Sequence, residues 1–283
     1  MNLTAQEGGC GFTAGQGANK ENKLKVFFAN SGTEANEGAL KIARMAGKVR
    51  WEKEVAGRDW HDGTSTKTRI VCFEGSFHGR TMGALSVTTN PKYQLPFQPL
   101  IPGIDVGKVD DIPGLEGLIT KDTCGVIIEP IQGEGGVNEI SEAFLRALRK
   151  RCDEVGAVLI FDEIQVCWDR SKLWAVADMS AQCGLYRTGN LWAHSKLPAD
   201  CQPDVVTMAK PLANGFPIGA IMLKEAVASG MTAGMHILRV REDLSLQFGL
   251  QVRTGPHSED HLLRVRLDNM SWDAFPRRNL SRV

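Results

Sequence analysis

An α/β fold, with a mostly parallel sheet covered by helices on both faces, follows from two patterns in this sequence. The first is a series of short, nearly continuous apolar runs at residues 25–29 (KVFFA), 69–73 (RIVCF), 125–128 (GVII), 157–161 (AVLIF), 204–208 (DVVTM) and 219–223 (GAIML). Strands buried on both faces need no polar alternation, so runs of this kind suit a covered sheet. The second pattern is helical spacing between the runs. Apolar residues at Ala35, Ala39, Leu40, Ile42, Ala43 and Ala46 predict a helix over 34–46, entered through the break Asn30-Ser31-Gly32-Thr33. Residues 141–155 predict another, capped by Ser141. No internal repeat breaks this alternation.

Composition narrows the function. The 283 residues carry 33 Lys and Arg against 33 Asp and Glu, a formal net charge of +0. Such balance argues against nucleic acid or an anionic membrane as the main partner. No apolar run is long enough to cross a bilayer. The seven cysteines are scattered without C-x-x-C or Cys/His spacing, so they read as reduced intracellular thiols and no metal site is expected from them. The first residues show no Arg-rich amphipathic presequence.

In a sheet of this class ligands collect beyond the strand ends, and several polar residues fall there. Ser31-Gly32-Thr33 opens a helix whose free N–H groups and positive dipole end suit a phosphate, or serve as a plain cap. Lys210 follows the fifth run. In a partly desolvated pocket its amine can form a Schiff base with a carbonyl; on a surface it is one more charge. Asp162 ends a buried run and needs a partner. That partner is a protonated pyridine nitrogen, a salt bridge or a helix cap. Phe77 can stack on a flat ring or belong to the core. Arg80 can clamp a carboxylate with two hydrogen bonds or lie on the surface. Together they supply what pyridoxal phosphate requires.

The motifs NSGTEANEGALKIAR, FHGRTMGALSVT, IIEPIQGEGG, LIFDEIQ with CGLYRTGNLW, and PDVVTMAKPLANGFPIGA resemble, in order, those of the class III aminotransferases, in particular the acetylornithine branch. The resemblance runs from about Lys25 to Gly234 and implies the large domain of a fold-type I pyridoxal-phosphate enzyme over residues 23–234. It implies that Gly32 and Thr33 hold the cofactor phosphate and that Phe77 stacks on the ring. Asp162 would pair with the ring nitrogen, Gln165 would reach its hydroxyl, and Lys210 would be the covalent anchor and proton carrier. Arg80 would bind the substrate carboxylate, and Glu134 would help the site alternate between two substrates. The implied reaction moves an amino group from N2-acetylornithine to 2-oxoglutarate, in arginine biosynthesis. The implied assembly is a homodimer, and the implied compartment the mitochondrial matrix, otherwise the cytoplasm. Ornithine or another ω-amino acid as donor, or an inactive remnant of the fold, are the alternatives.

Three segments depart from the family pattern. Residues 1–22 form a polar, Gly-rich lead-in where family members carry a long small-domain segment. Residues 166–182 separate Gln165 from Cys183, which are contiguous in the family. These seventeen residues are expected to be a translated intron, because they begin with Val, whose codons start GT, and end with Gln, whose codon can end AG; the alternative is a genuine surface loop. Residues 235–283 contain no lysine and many arginines, and are expected to be a frameshifted or disordered tail replacing most of the small domain. A chain so altered is expected to turn over poorly.

Overall fold

In a computed structural model of the protein, the described residues are 24–134, 136–164, 192–213 and 217–231. Their strands are β1 (Leu24–Ala29), β2 (Arg69–Phe73), β3 (Ile104–Gly107), β4 (Thr123–Ile128), β5 (Ile131–Gln132), β6 (Asn138–Glu139), β7 (Val158–Asp162), β8 (Val205–Met208) and β9 (Gly219–Lys224). The helices are α1 (Gly32–Glu54), α2 (Met82–Ser86), α3 (Pro91–Gln94), α4 (Leu115–Leu118), α5 (Glu142–Val155) and α6 (Glu225–Ala228). Seven strands share one sheet in the order β1-β9-β8-β7-β4-β2-β3, and β5 and β6 make a small hairpin. Every neighbouring pair is parallel except the two that involve β9, which runs against β1 and β8. All six expected apolar runs are strands, shifted by two residues at most. None of the described helices is long and apolar enough to cross a membrane.

Helix α1 begins two residues earlier than its apolar spacing predicts and ends eight later. Ser31 caps it, its Oγ accepting from the Glu34 N–H at 3.3 Å. Beyond Ala46 only Gly47 and Trp51 are buried, so the apolar signal lapses. The Lys, Arg and Glu residues there are good helix formers and carry the helix on. Gly47 lets α1 lie close to the sheet, since a Cβ at that position would run into the Cβ of Cys124. Strand β3 escaped the sequence reading because it is a four-residue edge strand (IDVG) with one polar and one glycine position.

The sheet is covered on both faces. Ala35, Ala39, Ile42 and Ala43 of α1 pack with Ile70, Ile127, Ile160 and Ile221 on one side. Phe144, Leu145 and Leu148 of α5 pack with Phe73, Val126, Leu159 and Trp192 on the other. Ser141 caps α5, its Oγ accepting from the Phe144 N–H at 3.2 Å. Lys67 is almost fully buried at the far end of α5, where its Nζ donates to the Val155 and Lys121 carbonyls at 2.5 and 2.9 Å. Burial lowers the pKa of that ammonium. The buried thiols of Cys72, Cys124 and Cys152 are pushed up to about 12 by the same cause, which makes them poor nucleophiles.

One buried ion cluster ties α5 to the sheet. Asp204 Oδ2 accepts from Arg149 at 2.8 Å and from the Leu159 N–H at 3.0 Å, and Oδ1 accepts from Lys224 at 3.1 Å. Burial pushes the Asp204 carboxyl up, but Arg149 and Lys224 outweigh it and hold the pKa below the usual 3.8. A depressed carboxylate stabilises the fold above its unfolded pKa, and that contribution is lost as pH falls through the folded value. Asp204→Asn is therefore expected to cost about 1–3 kcal/mol at neutral pH, because buried Arg149 then keeps, among the described residues, only the exposed Asp153 as an anionic partner. In urea titrations the gap between the two proteins should close below about pH 4. A gap that stays constant down to acid pH would exclude this role for Asp204.

Candidate active site

Strands β2, β4, β7 and β8 run in the same direction, so their C-terminal ends share one edge of the sheet. A cavity of about 650 Å³ opens there, a size that holds a small organic ligand. Gly32, Thr33, Phe77, Arg80, Asp162 and Lys210 all line it, together with Asn36, His78 and Ile164. Six of the residues singled out from sequence thus surround one space. Glu134 is not part of its lining, and Gln165 lies outside the described residues.

The entrance to α1 forms one wall. The first N–H groups of a helix have no intrahelical partner and sit at its positive end. Gly32 brings that end close to β7: a Cβ there would lie 2.6 Å from Ile164 Cγ2. The Thr33 hydroxyl faces the loop from Phe77 to Thr81. It accepts from the Arg80 N–H at 3.2 Å and the Thr81 N–H at 3.4 Å, and pairs with the Thr81 hydroxyl at 3.1 Å. Gly79 allows this approach, with φ +133° and no side chain to strike Thr33.

Asp162 closes β7 and is 1% exposed. Its Oδ2 accepts from Asn36 Nδ2 at 2.7 Å and from His78 Nδ1 at 2.8 Å. Oδ1 accepts from the Ile164 N–H at 2.9 Å. A carboxylate offers about four acceptor positions, so one remains on Oδ1 for a further donor. The neighbouring acid, Glu163, is used differently. It is buried and accepts from the Ala193 N–H at 2.8 Å, the His194 N–H at 3.0 Å and His194 Nδ1 at 2.5 Å. Of the paired acids, then, Asp162 serves the cavity and Glu163 fastens the turn at Ala193–Lys196.

Lys210 stands at the head of a short 3-10 turn two residues after β8. Its φ is +29°, a left-handed value that a residue with a Cβ rarely adopts, at a cost of about 1–3 kcal/mol. The Lys210 residue is exposed on the cavity wall. On the opposite wall the Phe77 N–H donates to Glu129 Oε2 at 3.0 Å. The Phe77 ring meets Tyr93 edge-on, with centroids 5.5 Å apart. The Arg80 guanidinium lies 5.0 Å from the Tyr93 ring centre and 5.9 Å from that of Phe77. The Tyr93 hydroxyl donates to Glu134 Oε1, and this bond raises the pKa of the phenol. Glu134 is thereby linked to Arg80 through one aromatic ring.

Sequence reasoning missed Asn36, His78, Thr207 and Tyr93. Asn36 gave a signal: it is a polar residue on the buried stripe of α1, between Ala35 and Ala39. The other three gave none that distinguishes them from ordinary polar residues in loops and strands.

These residues fit pyridoxal phosphate. A helix end without a side chain at Gly32 suits a phosphate, Oδ1 of Asp162 has room for a ring N–H, and among the described residues one lysine, Lys210, lines the same cavity. The chain belongs to the class-III aminotransferases, whose family model matches residues 13–237. It is 54% identical over 212 residues to the acetylornithine aminotransferase, mitochondrial, of Yarrowia lipolytica, covering 75% of this chain and 43% of that one. It is 50% identical over 211 residues to the protein of the same name from Neurospora crassa, covering 75% of this chain and 40% of that one. Among solved structures it is similar to the ornithine aminotransferase of Toxoplasma gondii, with 31% identity and a TM-score of 0.58 over 75% of this chain and 44% of that one. The chain thus spans less than half the length of these relatives. Both fungal relatives are named mitochondrial.

Proposed function

We propose that the protein takes part, with pyridoxal phosphate, in transfer of an amino group from N2-acetylornithine to 2-oxoglutarate, yielding N-acetylglutamate semialdehyde and glutamate. The observation that carries this is the gathering of Gly32, Thr33, Phe77, Arg80, Asp162 and Lys210 around one cavity. The choice of donor follows the names of the fungal relatives. When bound, the cofactor supplies a carbonyl that condenses with amines and a ring that draws electrons from the carbon bearing the nitrogen.

The chain's own residues divide the remaining work. The N–H groups of Gly32 and Thr33 hold the phosphate at the α1 terminus. Phe77 covers one face of the ring. Asp162 Oδ1 would accept the ring N–H and keep it protonated. Lys210 would hold the cofactor through its amine and, once the donor amine has displaced it, its free Nζ would carry a proton from the amino-bearing carbon. Arg80 binds a substrate carboxylate. Glu134, held by Tyr93, offers Arg80 an internal alternative when that carboxylate is absent. The working form is a homodimer. Met82, Leu95 and Phe97 are exposed apolar side chains on neighbouring elements, and a second copy would cover them. The compartment is the mitochondrial matrix.

Residues 166–182 and 235–283 lie outside the described residues, and their origin as a retained intron and a shifted frame is part of the same proposal. Spliced transcripts decide it: a message that keeps all seventeen codons of 166–182 would exclude the intron. The donor is tested by glutamate formation from 2-oxoglutarate with N2-acetylornithine, ornithine or 4-aminobutyrate, on the protein with and without residues 166–182. N2-acetylornithine is expected to be the best donor, and the shortened form the more active. A preference for ornithine assigns the protein to the other ω-amino acid enzymes. Equal activity of the two forms shows the segment to be ordinary protein.

A further inference from the structure

We infer that Asn36 is a positioning residue for the ring nitrogen, because its one carboxamide locks together the segments that bear the cofactor contacts. The inference rests on the pyridoxal-phosphate reading above. Asn36 is 1% exposed and sits on α1 one turn beyond Gly32 and Thr33. Its Nδ2 donates to Asp162 Oδ2 at 2.7 Å and to the His78 carbonyl at 2.7 Å. Its Oδ1 accepts from the Thr207 hydroxyl at 2.7 Å. The amide orientation is fixed by this pattern, since Nδ2 faces a carboxylate and a carbonyl. Three elements are thereby tied to the head of α1: the end of β7 at Asp162, the loop that carries Phe77 and Arg80, and β8 three residues before Lys210.

No other side chain can do this from the same place. The group must donate twice and accept once in a buried setting, which only an amide offers. Gln would overfill the space. Asp would set an oxygen 2.7 Å from Asp162 Oδ2, where two carboxylates cannot both be ionised. Leu has the right size but leaves the Thr207 hydroxyl buried without a partner and Oδ2 with His78 alone. The network also assigns the two oxygens of Asp162. Asn36 and His78 occupy Oδ2, which leaves the open position on Oδ1. Losing the Asn36 donor leaves Oδ2 with His78 alone and Oδ1 with the Ile164 N–H, so the carboxylate is held at fewer points and presents a less fixed acceptor to the ring.

The test loads the protein with pyridoxal phosphate and reads two quantities besides turnover. One is affinity by equilibrium dialysis. The other is the NMR shift of an isotopically labelled ring nitrogen at fixed pH, which reports the protonated fraction. Four proteins are compared: the parent, Asp162→Asn, Asn36→Leu and Thr207→Val. Asn36→Leu is expected to bind about tenfold more weakly and to lower the protonated fraction, in the direction of Asp162→Asn. Thr207→Val, which removes one hydroxyl and keeps the fold's shape, should weaken binding about threefold. It decides the matter if Asn36→Leu does not fold. A purely structural Asn36 would lower thermal stability and leave the ring shift where it was. An Asn36→Leu protein, or failing that a Thr207→Val protein, with parental affinity and ring shift overturns the inference. If the parent binds no cofactor, or Asp162→Asn leaves the ring shift unchanged, the pyridoxal-phosphate reading itself is what fails.

Discussion

Lys210→Ala is expected to abolish borohydride-reducible attachment of pyridoxal phosphate and to cut amino transfer by about 1,000-fold or more. On the proposed roles two functions would end with one side chain, the covalent anchor and the proton carrier, the latter alone worth about 100- to 10,000-fold. Among the described residues no other lysine lines the cavity, so none can substitute. Noncovalent binding should survive in part, because the phosphate and ring contacts lie on other elements. The strain at Lys210 adds a second readout. At φ +29° alanine keeps the penalty that lysine has, whereas glycine is free of it. Lys210→Gly should therefore melt above Lys210→Ala, by an amount that reflects about 1 kcal/mol, although both are inactive. Attachment at normal stoichiometry in the alanine variant would refute Lys210 as the anchor. Equal melting of the two variants would refute the strain.

The sequence showed most of the sheet and much less of the network behind the cavity, for physical reasons. Strands β2, β4, β7, β8 and β9 are read easily because burial on both faces demands unbroken apolar runs; β1 lies at the sheet edge with only Ala29 buried, and is read from its apolar run KVFFA alone. Edge strand β3 escapes because Asp105 and Gly107 interrupt its apolar run and Val106 is exposed. The cavity residues stood out where a polar group follows an apolar run, as Asp162 and Lys210 do. Their partners come from positions far away in the chain. Asn36 is 126 residues from Asp162 and 171 from Thr207, and His78 is 84 from Asp162. No local spacing encodes contacts over such separations. Adjacent Asp162 and Glu163 looked alike in sequence. Successive side chains of a strand point to opposite faces, and this sends one acid to the cavity and the other to His194.

Asp162→Asn is expected to leave pyridoxal phosphate bound but to reduce amino transfer on the order of 100-fold or more, the scale of losing one preorganised charge at a reacting centre. Two effects combine. The ring nitrogen loses its anionic partner and with it the reason to hold a proton, so the ring draws electrons less well. The hydrogen bonds also fall out of balance. Three donors converge on this side chain, from Asn36, His78 and the Ile164 N–H. An amide has only one oxygen, so its NH2 must face either the Ile164 N–H or the Asn36 and His78 pair. One buried donor is left unpaired in the first orientation and two in the second, each at about 1–3 kcal/mol. The variant should therefore melt lower as well as turn over slowly. Asp162→Glu separates the two effects, because it keeps the charge and moves it outward by one methylene. It should retain more of the ring protonation than Asp162→Asn while packing no better. An asparagine variant within twofold of the parent in turnover would remove Asp162 from the chemistry. A glutamate variant with less ring protonation than the asparagine one would show that position matters more than charge.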